Sequence, residues 1–229
     1  MLVDIKGRLV VSCQALSDEP LHGSEIMKRM ADAAMRGGAA AIRANGVEDV
    51  AAIKSYVDLP VIGLIKRDYP DSEVYITPTL IEVEQLIGAG ADMIALDATN
   101  RTRPGGVRLS DMMRDIRAAY PSMQWMADCS TLEECVQAEK LGFDCIGTTM
   151  HGYTAATAGK KLYEADFSFL RAVVREVAAP VLAEGNILTP EMAAHALDAG
   201  AHAVVVGGAI TRPQQITERF AEAIRSVRA

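Results

Sequence analysis

The stretch GAGADMIALDA, residues 88–98, decides the fold because it reads as a helix end, a glycine and then a buried strand. Glycine at a helix end takes the left-handed conformation at little cost, and the apolar residues after it favour an extended chain. The same phrase recurs as RGGAAAIRA (36–44), KLGFDCIGTT (140–149) and DAGAHAVVVGG (198–208). This repetition predicts a chain of alternating helices and strands.

Eight strands are predicted in this way, each followed by a helix. Their ranges are 8–13, 39–43, 60–66, 93–97, 123–128, 145–149, 180–184 and 203–207. Parallel strands joined by right-handed helical crossovers can close into a cylinder at this number. The pattern therefore predicts an α/β protein, a single (β/α)8 TIM barrel forming one domain over residues 1–229. A doubly wound open sheet is the alternative, but the near-uniform repeat shows no switch point.

Two helix starts carry capping signals. The segment STLEE from Ser130 fits a capping box closed by Glu133. The segment TPEM predicts Thr189 as a cap with Pro190 at the first helical position.

Composition restricts the partners and the compartment. The formal net charge is −7 and the pI is about 5.2, which disfavours nucleic acid or an anionic membrane as a partner because both attract clustered Lys and Arg. The four cysteines lack C-x-x-C spacing, so we expect reduced thiols and a cytoplasmic protein. We expect neither a signal peptide nor a membrane span, since no apolar run has the required length.

Polar residues end nearly every predicted strand. In LPVIGLIKRDY (59–69), an apolar strand runs directly into Lys66. The corresponding positions elsewhere hold Cys13, Gln14, Arg43, Asp97, Asp128, Thr148, Thr149 and Glu184. Any one of these has a simpler reading as a solvated or structurally paired residue. As a set they predict an active site, because the carboxyl ends of barrel strands converge on one mouth where charges shift each other's pKa.

A phosphate site is predicted beside the last two strands. The seventh strand runs into EGNILTP and the eighth into GGAITRP. Glycine lets backbone N–H groups approach an anion, and loops after strands seven and eight of many barrels bind phosphate. Gly185, Gly207 and Gly208 are the candidates, with Arg212 as a charged clamp.

Other common kinds of site lack their signatures. The four histidines, His22, His151, His195 and His202, do not have the spacing of metal ligands, so no metal is predicted. The sequence contains no G-x-S-x-G and no G-x-G-x-x-G after the first strand, which disfavours serine hydrolysis and dinucleotide binding.

Taken together, these blocks resemble the N-acylmannosamine-6-phosphate 2-epimerase family over nearly the whole chain. The matching phrases are VSCQA (11–15), PL (20–21), AIRA (41–44), IGLIKRDY (62–69), ITPT (76–79), ALDATNRTRP (95–104), MADCST (126–131), GTTMHGYT (147–154), AEGNILTPE (183–191) and VVVGGAITRP (204–213). One departure is His151, which stands where the family pattern has a serine.

The resemblance implies an enzyme that interconverts N-acetylmannosamine 6-phosphate and N-acetylglucosamine 6-phosphate in the breakdown of sialic acid. It implies that Lys66 and Glu184 are the catalytic acid and base. The implied sugar contacts are Gln14, Arg43, Asp128 and Tyr153, and the implied phosphate contacts are Gly185, Gly207, Gly208 and Arg212. It further implies a sugar phosphate as the small-molecule partner, no cofactor, and a homodimer.

Inverting C2 beside the C1 carbonyl of an open-chain sugar requires a base, an acid and stabilisation of an anion, and no redox cofactor. Lys66 can act as the base only when neutral, a state that burial and a neighbouring cation favour. Two alternatives remain open: another phosphosugar epimerase or phosphate-binding synthase, or an idle barrel that only binds a sugar phosphate. A ribulose-phosphate 3-epimerase would need metal-ligating histidines at strand ends, and no predicted strand ends in His.

Overall fold

A computed structural model describes residues 1–227 and confirms the predicted (β/α)8 barrel. Eight parallel strands pair in chain order, and β8 pairs with β1 to close the cylinder. The strands are β1 (Leu9–Cys13), β2 (Ala41–Asn45), β3 (Val61–Leu64), β4 (Met93–Asp97), β5 (Gln124–Asp128), β6 (Cys145–Gly147), β7 (Val181–Glu184) and β8 (Ala203–Val206). The last two residues of the predicted 1–229 domain lie outside the described residues.

Helices surround the strands. They are α1 (Leu2–Ile5), α2 (Ser24–Arg36), α3 (Val47–Lys54), α4 (Leu80–Gly88), α5 (Leu109–Ala119), α6 (Leu132–Lys140), α7 (Glu164–Glu176), α8 (Pro190–Asp198), α9 (Gly208–Thr211) and α10 (Pro213–Ser226). A single 3-10 turn (Pro104–Gly106) precedes α5. Across residues 1–227, no helix combines the length and the apolarity that a membrane crossing requires.

Strand register decides which side chains enter the barrel. Paired residues of neighbouring strands face the same way, and β1 places Ser12 beside Arg43 of β2, while β4 places Asp97 beside Asp128 of β5. Below them, the interior is filled by apolar side chains from alternate strand positions: Val10, Ile62, Leu64, Met93, Met126, Leu182 and Val205. The polar strand-end residues therefore stand on a packed apolar core at one mouth of the barrel.

The opposite mouth is closed by α1, which the sequence did not predict. Ile5 is fully buried and packs with the interior cluster, together with Met1 and Leu2. His202, just before β8, lies with Nε2 2.8 Å from the carbonyl oxygen of Leu2. Because this end is plugged, solvent reaches the interior from the carboxyl ends of the strands.

The predicted capping box of α6 is wrong by one residue. The cap is Thr131, not Ser130, and its partner is Glu134, not Glu133. The hydroxyl of Ser130 is instead 2.6 Å from the hydroxyl oxygen of Thr154, so it is already occupied by a tertiary contact. The predicted cap of α8 is correct: Thr189 accepts from an N–H of the first turn, with Pro190 at its start.

Candidate active site

A cavity of about 440 Å³ opens at the carboxyl ends of the strands, within the size range of small-molecule sites. Nine of the ten predicted site residues line it: Gln14, Arg43, Lys66, Tyr153, Glu184, Gly185, Gly207, Gly208 and Arg212. The exception is Asp128, which lies beneath the cavity floor. Residues from six different strands or from the loops that follow them thus meet in one space.

Lys66 and Glu184 line the same cavity although 118 positions separate them in the sequence. Lys66 follows β3, and its main-chain N–H donates to Oδ1 of Asn45 at 2.8 Å, which fixes the start of its loop. Glu184 is the last residue of β7, and Gly185 follows with φ +123°, a conformation that glycine adopts at little cost. Each side chain therefore enters the cavity from a fixed strand end.

Arg43 connects the two carboxylates of the site. Its Nη1 donates to Oε2 of Glu184 at 2.6 Å, and its Nη2 donates to Oδ2 of Asp128 at 2.6 Å. The guanidinium is almost completely buried, so these charge-assisted bonds form away from water. Asp128 itself is fully buried and also accepts from the Thr149 hydroxyl at 2.6 Å. Its direct neighbours are thus Arg43 and Thr149, and its predicted sugar contact stays a prediction.

Burial and charge shift the pKa values of the two candidate acid and base groups towards each other. Burial raises the pKa of Glu184 to about 7; Arg43 opposes this shift and Asp128 adds to it. Burial lowers the pKa of the Lys66 ammonium, and the nearby cations Arg43 and Arg212 lower it further. Burial alone would lower the pKa of Arg43, but Asp128 and Glu184 hold it above its ordinary value. Arg43 is therefore a permanent cation, while Lys66 and Glu184 are the groups able to exchange a proton.

The predicted phosphate residues gather at the end of the cavity formed by the loops after β7 and β8. Gly207 precedes the short helix α9, and its carbonyl accepts from the N–H groups of Ile210 and Thr211. A side chain at Gly208 would run into the amide of Gln215, which also lines the cavity. The first N–H groups of a helix lack partners within it, so this backbone offers donors to an anion.

Arg212 is held by a residue that the sequence analysis missed. Its Nε and Nη2 donate to the two carboxylate oxygens of Glu19 at 2.6 and 3.0 Å. The main-chain N–H of Leu16 and the amide of Gln214 also donate to Glu19. Burial would raise the pKa of Glu19, but the bonds to Arg212 and Leu16 hold it below its ordinary value. Glu19 lies in the loop after β1, where no periodic pattern marks it.

Gln14 offers one unused polar atom to the cavity. Its Nε2 donates to the hydroxyl of Ser12 at 2.8 Å, while its buried Oε1 has no hydrogen-bond partner among the described residues. Buried polar atoms are nearly always satisfied, so this oxygen beside the cavity is an exception. Tyr153 stands at the rim with 58% of its surface exposed.

His151 points away from the cavity. Its Nδ1 is 2.9 Å from the carbonyl oxygen of Ser130, and its ring stacks on Phe169 with 3.9 Å between centroids. Burial lowers the pKa of this imidazole, so it packs as a neutral aromatic ring. Among residues 1–227, no group of three or more His, Cys, Asp or Glu side chains is arranged to hold a metal ion.

Comparison with known proteins agrees with this geometry. Residues 27–226 match the model of the NanE family, described as "Putative N-acetylmannosamine-6-phosphate epimerase". The chain belongs to this epimerase family. A relative from Enterobacter sp. (strain 638), named "Putative N-acetylmannosamine-6-phosphate 2-epimerase", is 61% identical over 97% of this chain and 94% of its own. One of the same name from Shouchella clausii is 59% identical over 98% of this chain and 99% of its own.

A solved structure of the family supports the fold. The N-acetylmannosamine-6-phosphate 2-epimerase from Clostridium perfringens superposes with a TM-score of 0.93 at 56% identity, covering 97% of this chain and 96% of that one. The fold and the family predicted from sequence are thereby confirmed.

Proposed function

We propose that this chain interconverts N-acetylmannosamine 6-phosphate and N-acetylglucosamine 6-phosphate by removing the C2 proton and returning it to the opposite face. The observation that carries the proposal is that Lys66 and Glu184 line one cavity and have pKa values shifted towards each other. Such shifts are typical of acid and base groups that work in pairs. The names of the 56–61% identical relatives point to the same reaction.

The chemistry requires only proton transfer. In the open-chain sugar, C2 lies beside the C1 carbonyl, and its proton becomes acidic when the developing enolate is stabilised. Lys66 serves as the base at C2 and Glu184 as the second proton carrier. Because no atom changes its overall oxidation state, we propose that the enzyme works without a cofactor.

Binding is assigned to the remaining predicted residues. The sugar is bound by Gln14, Arg43, Asp128 and Tyr153. Arg43 also donates to the Glu184 carboxylate. The phosphate is placed against Gly185, Gly207 and Gly208, with Arg212 as the cation. This separates the phosphate from the reacting carbon, so that binding energy far from C2 orients the substrate.

We further propose a homodimer in which α10 contacts a second copy. Every side chain of α10 remains at least partly exposed. Its apolar residues form a stripe at helical spacing, with Phe220 69% exposed, Ile224 60% exposed and Val227 at the end 86% exposed. Contiguous apolar surface of this kind is typical of an interface.

The same proposal includes the domain organisation, the compartment and the pathway. Residues 1–229 act as one catalytic domain in the cytoplasm, in the catabolism of sialic acid and amino sugars. The four cysteines are free, buried thiols, as a reducing compartment allows. The alternatives of an idle sugar-phosphate-binding barrel or a different phosphosugar enzyme gain no support from a cavity that keeps both proton-carrying groups.

Proton NMR in deuterium oxide tests the function directly. With N-acetylmannosamine 6-phosphate as substrate, we expect the 2-epimer to form while the C2 proton is replaced by deuterium. Unphosphorylated N-acetylmannosamine is the control, with kcat/KM lower by about 100-fold or more because the remote binding energy is lost. An unchanged spectrum of the phosphorylated sugar would refute the proposal.

A further inference from the structure

Two consecutive threonines after β6 surround Glu184 of the neighbouring β7. Thr148 is fully buried, and its hydroxyl donates to the main-chain oxygen of Glu184 at 2.8 Å. The same hydroxyl accepts from the main-chain N–H of Glu184 at 3.0 Å. A side chain thus continues the pairing of the two strands beyond Gly147, where β6 ends.

Thr149 reaches the side chain of the same glutamate. Thr149, in the turn that follows β6, lines the cavity, whereas Thr148 does not. Its Oγ1 lies 2.6 Å from Oδ1 of Asp128 and 3.3 Å from Oε2 of Glu184. The hydroxyl donates to Asp128 at the shorter distance and contacts Glu184 at the longer one, and Nη1 of Arg43 contacts both Glu184 and this hydroxyl.

Gly147 makes room for this arrangement. A Cβ at that position would lie 2.9 Å from Oγ1 of Thr149, 3.2 Å from Oδ1 of Asp128, and against the methyl group of Met126. A side chain at 147 would therefore displace the end of Met126 and the hydroxyl of Thr149. The absence of a side chain at 147 therefore lets the hydroxyl and the carboxylate meet.

We propose that Thr148 and Thr149 are positioning residues for Glu184, Thr148 fixing its main chain and Thr149 fixing its carboxylate. β7 ends at Glu184 and the next residue is a glycine with positive φ, so the regular strand pairing stops at this residue. Displacement of a proton-transfer group by about 1 Å can cost on the order of 100-fold in rate. The role of this positioning in catalysis rests on the proposed function, whereas the contacts of Thr148 and Thr149 with Glu184 do not depend on it.

Valine and serine substitutions separate the two roles. Valine keeps the shape of threonine without the hydroxyl, and serine keeps the hydroxyl. The charged groups facing Glu184 are Arg43 from β2, Lys66 after β3 and Asp128 from β5. Since all three remain in every variant, a change in the Glu184 titration reports on loss of the hydroxyl, either directly or through Asp128, which the same hydroxyl contacts.

We expect T149V to lower kcat by about tenfold or more with KM within about twofold, and to raise the pKa of Glu184 because its ionised form loses a donor. T148V should lower kcat similarly and leave that titration unchanged, because its hydroxyl touches only the main chain. T149S and T148S should restore kcat to within about threefold. Carboxyl ¹³C NMR follows the titration, with the Glu184 resonance assigned by its loss in E184Q.

Unchanged kcat in both valine variants would overturn the proposal. A raised KM at constant kcat in T149V would also overturn it, because Thr149 would then be a substrate contact. If a valine variant fails to fold, a measurement on the wild-type protein still tests the proposal. The hydroxyl protons of Thr148 and Thr149 should exchange slowly with water and show NOEs to neighbouring groups. Rapid exchange of both protons would contradict the proposal that these two residues position Glu184. An inactive wild-type enzyme would refute the proposed function. The Glu184 titration and the exchange of the Thr148 and Thr149 hydroxyl protons would still test whether these residues position Glu184.

Discussion

Arg212 and Glu19 form a two-pronged ion pair inside the cavity, with Nε and Nη2 of the guanidinium 2.6 and 3.0 Å from the two carboxylate oxygens. They are 193 positions apart in the chain and both line the cavity. The cation proposed to hold the substrate phosphate is therefore already paired with an internal carboxylate. A phosphate arriving at this site must share Arg212 with Glu19 or replace it.

Replacing Glu19 by Gln should strengthen binding of phosphate. The variant removes the competing negative charge but keeps a polar side chain, so we expect inorganic phosphate to inhibit about fivefold more strongly, equivalent to about 1 kcal/mol. The inhibition constant is measured against the epimerase reaction. E25Q is the matched control, because Glu25 pairs with Lys28 on the exposed face of α2 and should leave the constant unchanged. Weaker inhibition in E19Q would mean that Glu19 orients Arg212 rather than competing with the ligand.

The pH profile of kcat/KM should be bell-shaped. Turnover needs one proton on the Lys66 and Glu184 pair, so activity falls when both are protonated and again when both are deprotonated. Burial raises the pKa of Glu184 to about 7, which sets the acid limb near that pH. Burial and the adjacent cations lower the pKa of Lys66, so the alkaline limb should lie below the ordinary lysine value of 10.5.

Arg212→Gln tests the origin of the alkaline limb. Arg212 is one of the cations that lower the pKa of Lys66, so its removal should move this limb to higher pH. The acid limb should move little, since Arg43 and Asp128 are the charges with the largest influence on Glu184. A profile that is flat between about pH 5 and pH 10 would show that neither group limits the reaction.

The barrel could be predicted from sequence because its signals are local and repeated. Each glycine before an apolar run marks a strand start, and strand order follows from the rule for parallel crossovers. Placing Lys66 and Glu184 in one cavity needed no tertiary information beyond this order. The α6 cap failed because Ser130 and Thr131 are each followed three residues later by a glutamate. Thr131 is the cap because the hydroxyl of Ser130 contacts Thr154 instead, and the sequence does not reveal that contact.

The missed parts of the site depend on distant pairs. Glu19 belongs to an irregular loop, and only its bond to Arg212 gives it a place in the cavity. Thr149 was recognised as polar, but its contact with Glu184 depends on the spacing of two strands and on the missing side chain at Gly147. Such details follow from packing geometry rather than from residue type.

A charge on α10 should break the proposed dimer. Phe220 and Ile224 lie one helical turn apart on the exposed stripe, so F220E places a carboxylate in the interface. We expect the wild type to have twice the 24.5 kDa chain mass and the variant to have the mass of one chain at micromolar concentration. Light scattering after size exclusion measures this. V107E is the control, since Val107 is exposed outside α10. A dimeric F220E would place the contact elsewhere.

Lys66→Ala should abolish exchange of the C2 proton. Lys66 is the proposed base, and general base catalysis contributes about 10²- to 10⁴-fold, so exchange of the C2 proton of N-acetylmannosamine 6-phosphate into deuterium oxide should fall by at least 100-fold. K140A is the matched control, because Lys140 is exposed in the last turn of α6. Addition of an alkylamine should restore part of the exchange in K66A, because a free amine can occupy the vacated space. Wild-type exchange in K66A would assign the role of C2 base to another group, and Glu184, which lines the same cavity, is the alternative.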